Sequence, residues 1–399
     1  MSPFPIEEVR AQTRGVEHVC HFNNAGASLM PAPVADRLHD WLADEERRGG
    51  YEVEASRRDE LEDFYAAAAE LIVCDPAEVA FIENATRAWN MVFYGLALGP
   101  GDYVLAPLSE YGSNVIALRQ QAARRGFSVE FIADDADGVV DLAWLEQRLA
   151  DASRPVRLIA LTHVPTGNGL INPAAEVGAL ARAHGVAFLL DACQSLGQLP
   201  LDVSALGADM LTGTGRKYLR GPRGTGLLYV RAGFLPHIDP PFLDQHAAEL
   251  VTPERYLMRN DARRFECWER YCAGQAAFAV ALRYAKTMGA KGAYSRLQGL
   301  AARLRQGLSS IAGVEVTDAG RERGGIVTFR LEGCEAQVVK ASLLNQGINV
   351  SVSTGSGNLV WFEQRGLRAV VRASVHYFNT DEELGRLTAA LRGIVATRP

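Results

Sequence analysis

Residues 208–231 read ADMLTGTGRKYLRGPRGTGLLYVR. An apolar run ends at Leu211, threonines and glycines follow, and Lys217 stands between Arg216 and Tyr218. Gly221, Pro222, Gly224 and Gly226 come next, then a strand-like LLYV. The chain has only four lysines, Lys217, Lys286, Lys291 and Lys340, among its 41 lysines and arginines. Arginine therefore serves where charge alone is needed. A lysine in a glycine-lined turn after an apolar run points to amine chemistry, because an ammonium can lose its proton and attack a carbonyl whereas a guanidinium stays charged. The competing account is a solvated surface lysine. Its flanks argue against that, since surface lysines sit mostly on helices and ordinary loops.

Upstream, the 26 residues before Lys217 reach back to Asp191, which closes the run Phe188, Leu189, Leu190. A carboxylate at the end of an apolar run is partly buried and needs a partner. It either caps the following turn or serves as counter-charge to a cationic ligand atom. With Lys217 in place, the pair reads as the aspartate and Schiff-base lysine of a pyridoxal phosphate site.

Further upstream, strands alternate with helices. EVAFI, DYVLAP, SVEFIAD, RLIALT and AFLL read as strands, and helical patterns separate them. Such alternation over about 200 residues predicts a mostly parallel α/β sheet with its ligands at the C-terminal strand ends. Asn84-Ala85-Thr86, Glu110-Tyr111, His163 to Asn168, Asp191 to Gln194 and Thr212 to Lys217 all fall at such ends. Their convergence on one crevice outweighs any single motif. At Asn84-Ala85-Thr86 a helix N-terminus offers N–H donors and positive dipole to an anion, or Asn84 or Thr86 merely caps the helix. Before this region, helices are expected from about Pro33 to Arg48 and from Arg57 to Ile72. After Arg231, four prolines between 232 and 262 predict irregular structure, followed by a long helix and a compact α+β unit. Arg372 falls inside the strand AVVRASV. It calls for either an internal ion pair or a bidentate clamp on a substrate carboxylate.

At 399 residues the chain fits two domains, and 48% hydrophobic with 22% charged residues is ordinary for a globular protein. A net charge of -6, with no long basic block, gives no nucleic-acid surface. No apolar run approaches a membrane span, and the first 18 residues lack a secretory pattern. Six cysteines without a CxxC pair read as free thiols in a reducing cytoplasm, and scattered histidines give no metal site.

DACQS, TGTGRKYLRGPRGTGLLYV, ENATRAWN and VVRASVHYFNTDEEL together resemble the class V, cysteine desulfurase-like branch of fold-type I pyridoxal phosphate enzymes, from Asn23 to about Leu391. The resemblance implies a large cofactor-binding α/β domain (residues 21–283) and a smaller α+β domain (284–399), with residues 1–20 packed on the latter. It implies that pyridoxal 5'-phosphate is bound by Lys217, with Asp191 at the pyridine nitrogen and Gln194 as donor to the ring hydroxyl. Ala85, Thr86, Thr214 and Arg216 become phosphate contacts. Tyr111 lies beside the ring-stacking position. Arg372 becomes the substrate-carboxylate residue, with Asn24 as a second substrate-binding candidate. It also implies an amino-acid substrate and a homodimer with interfacial active sites.

Two departures stand out. The loop SVSTGSGNLVWFEQRG (351–366), where desulfurases carry a mobile cysteine, has none. Arg264-Phe265-Glu266 is followed by Cys267, Trp268 and Glu269 instead of small residues and threonine. Within the class, the phrasing resembles enzymes called isopenicillin N epimerase-like or carbon–sulfur lyase-like. The expected reaction is β-elimination from a sulfur-containing amino acid. Transamination and epimerisation follow as alternatives, and a non-catalytic cofactor-binding protein is opposed by the intact Lys217 and Asp191.

Overall fold

The computed structural model describes residues 4–396. Its main sheet has seven strands in the order Val79–Ile82, Gly226–Val230, Met210–Thr214, Ala187–Asp191, Val156–Thr162, Tyr103–Pro107, Ser128–Ile132. Only Gly226–Val230 runs against the others. The middle strands are buried along nearly their whole length because helices cover both faces. Phe64, Val177 and Phe278 pack with Ile159, Phe188 and Leu211 on one face. Val92, Phe93 and Leu118 pack with Leu158, Leu189 and Met210 on the other. Side chains that alternate along each strand thus feed two cores at once.

A second, antiparallel sheet runs Val314–Val316, Ile326–Leu331, Ala369–Ser374, Ser351–Thr354. The helices Ala290–Ser309, Ala336–Leu344 and Asp381–Ala396 bury Leu300, Leu304, Val339 and Leu387 against it. The N-terminal segment joins this part of the molecule. Cys20–His21 pairs in parallel with Ile348–Asn349, and Arg10 bonds Glu383 and the Phe378 carbonyl.

Several expectations shift. The long helix is Cys272–Thr287, so it runs past residue 283, and the chain turns at Gly289, whose φ of 70° suits a residue without Cβ. A short helix, Gly50–Ser56, precedes Arg58–Ile72. The stretch expected to be irregular contains a hairpin, Ala248–Thr252 with Arg255–Met258, and Pro253 sits in its turn instead of breaking it. Leu359–Gln364 is helical where a loop was expected, because Trp361 and Phe362 bury their rings.

Candidate active site

Because six strands share one direction, the polar residues that follow them gather at one edge. A cleft of roughly 530 Å³, counting its mouth, is lined there by Asn84, Ala85, Thr86, Tyr111, Asn114, Thr162, Val164, Thr166, Asp191, Cys193, Gln194, Thr214, Arg216 and Lys217. Of the residues singled out from sequence, Ala85, Thr86, Tyr111, Asp191, Gln194, Thr214, Arg216 and Lys217 all line it.

Lys217 leaves the Met210–Thr214 strand in a turn tied back by Gly221 N–H to the Gly215 carbonyl (2.7 Å) and Arg220 N–H to the Lys217 carbonyl (2.9 Å). Arg220 itself has φ of 59°, and its fully buried guanidinium reaches the Leu29 carbonyl and Thr13 Oγ1. The Lys217 ammonium has no hydrogen-bond partner among the described residues. Burial pulls its pKa below the ordinary value of 10.5, with Arg216 and Arg372 adding to the effect against the fields of Cys193 and Asp191. A half-buried, unpaired lysine with a lowered pKa is suited to work as a free amine.

Asp191 is buried at the end of its strand. Oδ1 accepts from Cys193 N–H (2.9 Å) and Oδ2 from Asn114 Nδ2 (2.9 Å). It therefore caps the turn and still lines the cleft, so the two sequence readings are compatible. Gln194 Nε2 donates to the Ala25 carbonyl (3.0 Å) and Thr166 Oγ1 (3.3 Å), leaving Oε1 buried without a partner. Cys193 is the only thiol on the cleft. Burial first, then the charge of Asp191, pushes its pKa well above 9.0.

The helix Ala85–Gly95 points its N-terminus at the cleft. Asn84 Oδ1 caps Arg87 N–H (2.9 Å), which leaves the Ala85 and Thr86 N–H groups facing outward. Across from them, Arg216 Nη1 donates to Thr214 Oγ1 (3.0 Å), and Arg216 has no carboxylate partner among the described residues. Two helix N–H groups, a hydroxyl and a guanidinium make an anion site of the kind a phosphate fills. With a partnerless lysine and a buried aspartate behind it, the donor set fits pyridoxal phosphate.

Arg372 is buried in the Ala369–Ser374 strand, behind Thr166 at the cleft's end. Nη1 donates to Thr166 Oγ1 (2.5 Å) and the Thr166 carbonyl (3.1 Å), Nη2 to Asn23 Oδ1 (3.4 Å), and Nε has no partner. No carboxylate pairs with it among the described residues, so the internal ion pair weighed from sequence is absent there. Burial lowers its pKa from 12.5 to about 10. Asn24, expected as a second substrate-binding candidate, is not among the residues that line the cleft. It is fully buried away from the cleft, donating to the Ser374 carbonyl (2.7 Å) and accepting from Ser28 Oγ (2.8 Å). Its neighbour Asn23 meets Arg372 instead.

Sequence reasoning missed Asn23 and Asn114 as site residues, and placed Thr166 in a converging loop without singling it out. The signal for Asn114 was its place in the first turn of the helix Gly112–Arg125 beside a strand end. Glu266 accepts from Tyr65 OH (3.0 Å) and Phe81 N–H (2.8 Å) and so ties the fold together, whereas Arg264 is buried with its Nε unpartnered.

The cysteine-free segment 351–366 closes over the cleft edge. Asn358 Nδ2 donates to the Ser109 (2.8 Å) and Glu110 (3.0 Å) carbonyls. A Cβ on Gly112 would lie 2.3 Å from the Ser356 carbonyl oxygen, so only glycine permits this approach.

Comparison with known proteins gives the family and the fold. A probable cysteine desulfurase of Pyrococcus abyssi is 27% identical over 398 residues, covering 98% of this chain and 97% of the relative. The apo structure of cysteine desulfurase from Thermococcus onnurineus NA1 superposes with a TM-score of 0.92 at 27% identity, covering both chains fully (100% each). The cystine C–S lyase C-DES, solved with its product cysteine persulfide, has a TM-score of 0.86 at 24% identity over 96% of this chain and 99% of its own, and so shares the fold. The family model for class-V aminotransferases matches residues 20–387. The chain belongs to the class-V aminotransferase family and is a fold-type I, pyridoxal phosphate-dependent enzyme.

Proposed function

We propose that the enzyme catalyses β-elimination from a sulfur-containing amino acid, a carbon–sulfur lyase reaction that uses no enzyme cysteine. The observation that carries this reading is the thiol inventory at the site. The closing segment 351–366 has no cysteine, and at Cys193, the one cleft thiol among the described residues, burial and the Asp191 charge raise the pKa well above 9.0. A protonated thiol is a poor nucleophile toward sulfur.

In this reading Lys217 holds the cofactor, and Asp191 faces the ring nitrogen. The Ala85 and Thr86 N–H groups, Thr214 and Arg216 hold the phosphate, and Gln194 and Tyr111 flank the ring. Bound there, pyridoxal phosphate supplies an electron-withdrawing ring conjugated to the substrate's Cα. Arg372 takes the substrate carboxylate, its missing counter-charge, in a bidentate pair. That contact, with Asn23 and Thr166 steadying the guanidinium, fixes Cα against Lys217. Released from the cofactor, Lys217 is an amine whose pKa burial has lowered, suited to take the Cα proton. The Cα–H and Cβ–S bonds break, a Cα=Cβ double bond forms, and the thiol leaves with a proton. Water then hydrolyses the aminoacrylate to a keto acid and ammonia. A desulfurase would instead pass sulfur to an enzyme thiolate and leave alanine.

The same reading takes a second copy of the chain as partner. Leu250, Tyr256 and Leu257 on the hairpin, with Trp268, are exposed apolar side chains that a homodimer would cover. It also sets the large domain before the turn at Gly289 and the small one after it, in a reducing cytoplasm where the six cysteines stay free.

The test incubates purified holoenzyme with a panel of sulfur-containing amino acids and measures keto acid, sulfide and alanine, in wild type and Cys193→Ala. Keto acid and thiol at near-equal rates in both proteins are expected. Alanine as main product, lost on Cys193→Ala, with a persulfide on Cys193 by mass spectrometry, would overturn the proposal.

A further inference from the structure

Behind Asp191 lies a second buried carboxyl group. Glu110 follows the Tyr103–Pro107 strand and is 2% exposed. Its Oε1 accepts from Tyr111 N–H (2.8 Å), Asn114 Nδ2 (2.8 Å) and Thr162 Oγ1 (2.5 Å), and its Oε2 from Thr162 N–H (3.2 Å). Asn114 Nδ2 also donates to Asp191 Oδ2 (2.9 Å). One amide nitrogen therefore spends both hydrogens on two carboxyl groups. With both groups ionised, reversing the amide would set its oxygen against two carboxylate oxygens, so that state admits one orientation. A buried carboxyl with four donors and no cation is an unusual structural choice, because a buried charge is normally paired.

We propose that Glu110 is a positioning residue for Asp191, acting through the Asn114 amide to hold the Asp191 carboxylate in one orientation and, when ionised, placing a second negative charge behind it. The inference rests on the reading that Asp191 faces the cofactor's ring nitrogen. Aligned and backed in this way, Asp191 holds a proton on that nitrogen more firmly than an isolated aspartate would.

The groups facing Glu110 come from four elements. Tyr111 and Asn114 belong to its own loop and the helix that follows, Thr162 to the neighbouring strand, and Asp191 to the next. Asn358 from the closing segment bonds the Glu110 carbonyl. Asp191 alone among these is charged, and beyond it across the cleft stands Lys217. Burial, then the field of Asp191, raises the Glu110 carboxyl from 4.5 to about 7. Its charge therefore turns on near neutrality, and above that point it adds to the negative field behind Asp191.

The experiment compares holo wild type, Glu110→Gln, Asn114→Ala, the double variant and Asp191→Asn, without substrate. The readouts are cofactor absorbance across neutral pH and the dissociation constant for pyridoxal phosphate. Glu110→Gln and Asn114→Ala are each expected to shift the absorbance titration by about half a pH unit or more and to weaken cofactor binding several-fold. The double variant should match Asn114→Ala alone, because the chain acts as one unit. A merely structural Glu110 would lower thermal stability and leave the titration unmoved. Wild-type titrations in both single variants, or effects that add, overturn the inference. If Glu110→Gln does not fold, Asn114→Ala decides alone, since it cuts the link and leaves Glu110 its other donors. Asp191→Asn separates the two levels. If it shifts the band and Glu110→Gln does not, this inference fails and the site reading stands. If it leaves the band unchanged, both fall.

Discussion

Arg372→Met tests whether a buried arginine serves the fold or the substrate. Burial lowers the guanidinium from 12.5 to about 10, so keeping it charged costs about 3 kcal/mol relative to water. Against that stand three donor contacts, two to Thr166 and one to Asn23, each worth about 0.5–1.5 kcal/mol net. The two terms offset. Methionine has similar reach and needs no charge partner, so the variant should keep wild-type stability to within about 1–2 kcal/mol. An arginine in a buried ion pair would behave differently, because removing it strands a carboxylate at about 3–5 kcal/mol. Activity should fall steeply. Even Arg372→Lys, which keeps the charge but loses the planar fork, should cost about 2–4 kcal/mol in kcat/KM, roughly 30- to 1000-fold. Urea unfolding and steady-state kinetics on wild type, Arg372→Met and Arg372→Lys decide it. Destabilisation by about 3 kcal/mol or more with kcat/KM intact would refute the reasoning.

Lys217 should carry the cofactor: borohydride reduction and peptide mapping are expected to find the pyridoxyl group there, and label on Lys286, Lys291 or Lys340 would contradict the site. Glu110 also makes a stability prediction. Its folded-state pKa is raised, so its stabilising contribution is complete below about 4.5 and is lost as pH rises through about 7, a change of about 3 kcal/mol. His163 works in the opposite sense, since burial lowers it from 6.5 to about 4 and its contribution is lost as pH falls through that value. The difference in denaturant midpoint between Glu110→Gln and wild type isolates the first slope, and should move in the variant's favour as pH rises from about 5 to 8. Asn358→Ala removes two buried hydrogen bonds and strands the Ser109 and Glu110 carbonyls. It should cost about 2–3 kcal/mol locally and open residues 351–366 to hydrogen exchange and proteolysis, and unchanged protection there would count against the pinning.

What the sequence determined by itself is what short stretches of chain encode. Apolar runs punctuated by polar turns settled the alternating strands and helices. The Lys217 turn was legible because its glycines, its lysine and the preceding apolar strand are neighbours in the chain. Asp191 was legible because a carboxylate closing an apolar run has few places to go. The hairpin 248–258 was not, because its strands are largely exposed and Pro253, with the prolines shortly before it, imitates irregular chain. Tertiary structure alone decided the rest. Asn114 meets Asp191 across 77 residues, Arg372 meets Thr166 across 206, and Asn358 meets Glu110 across 248. Asn23 meets Arg372 and Asn24 does not because a turn closed by the Gly26 and Ala27 N–H groups onto the Asn23 carbonyl begins between them and sends the next side chain elsewhere. Asn24 was claimed by the Ser374 carbonyl, 350 residues away. Whether Arg372 had an internal partner was equally beyond local reading, since a buried charge is compensated by whatever the fold brings beside it, and among the described residues the fold brings no carboxylate.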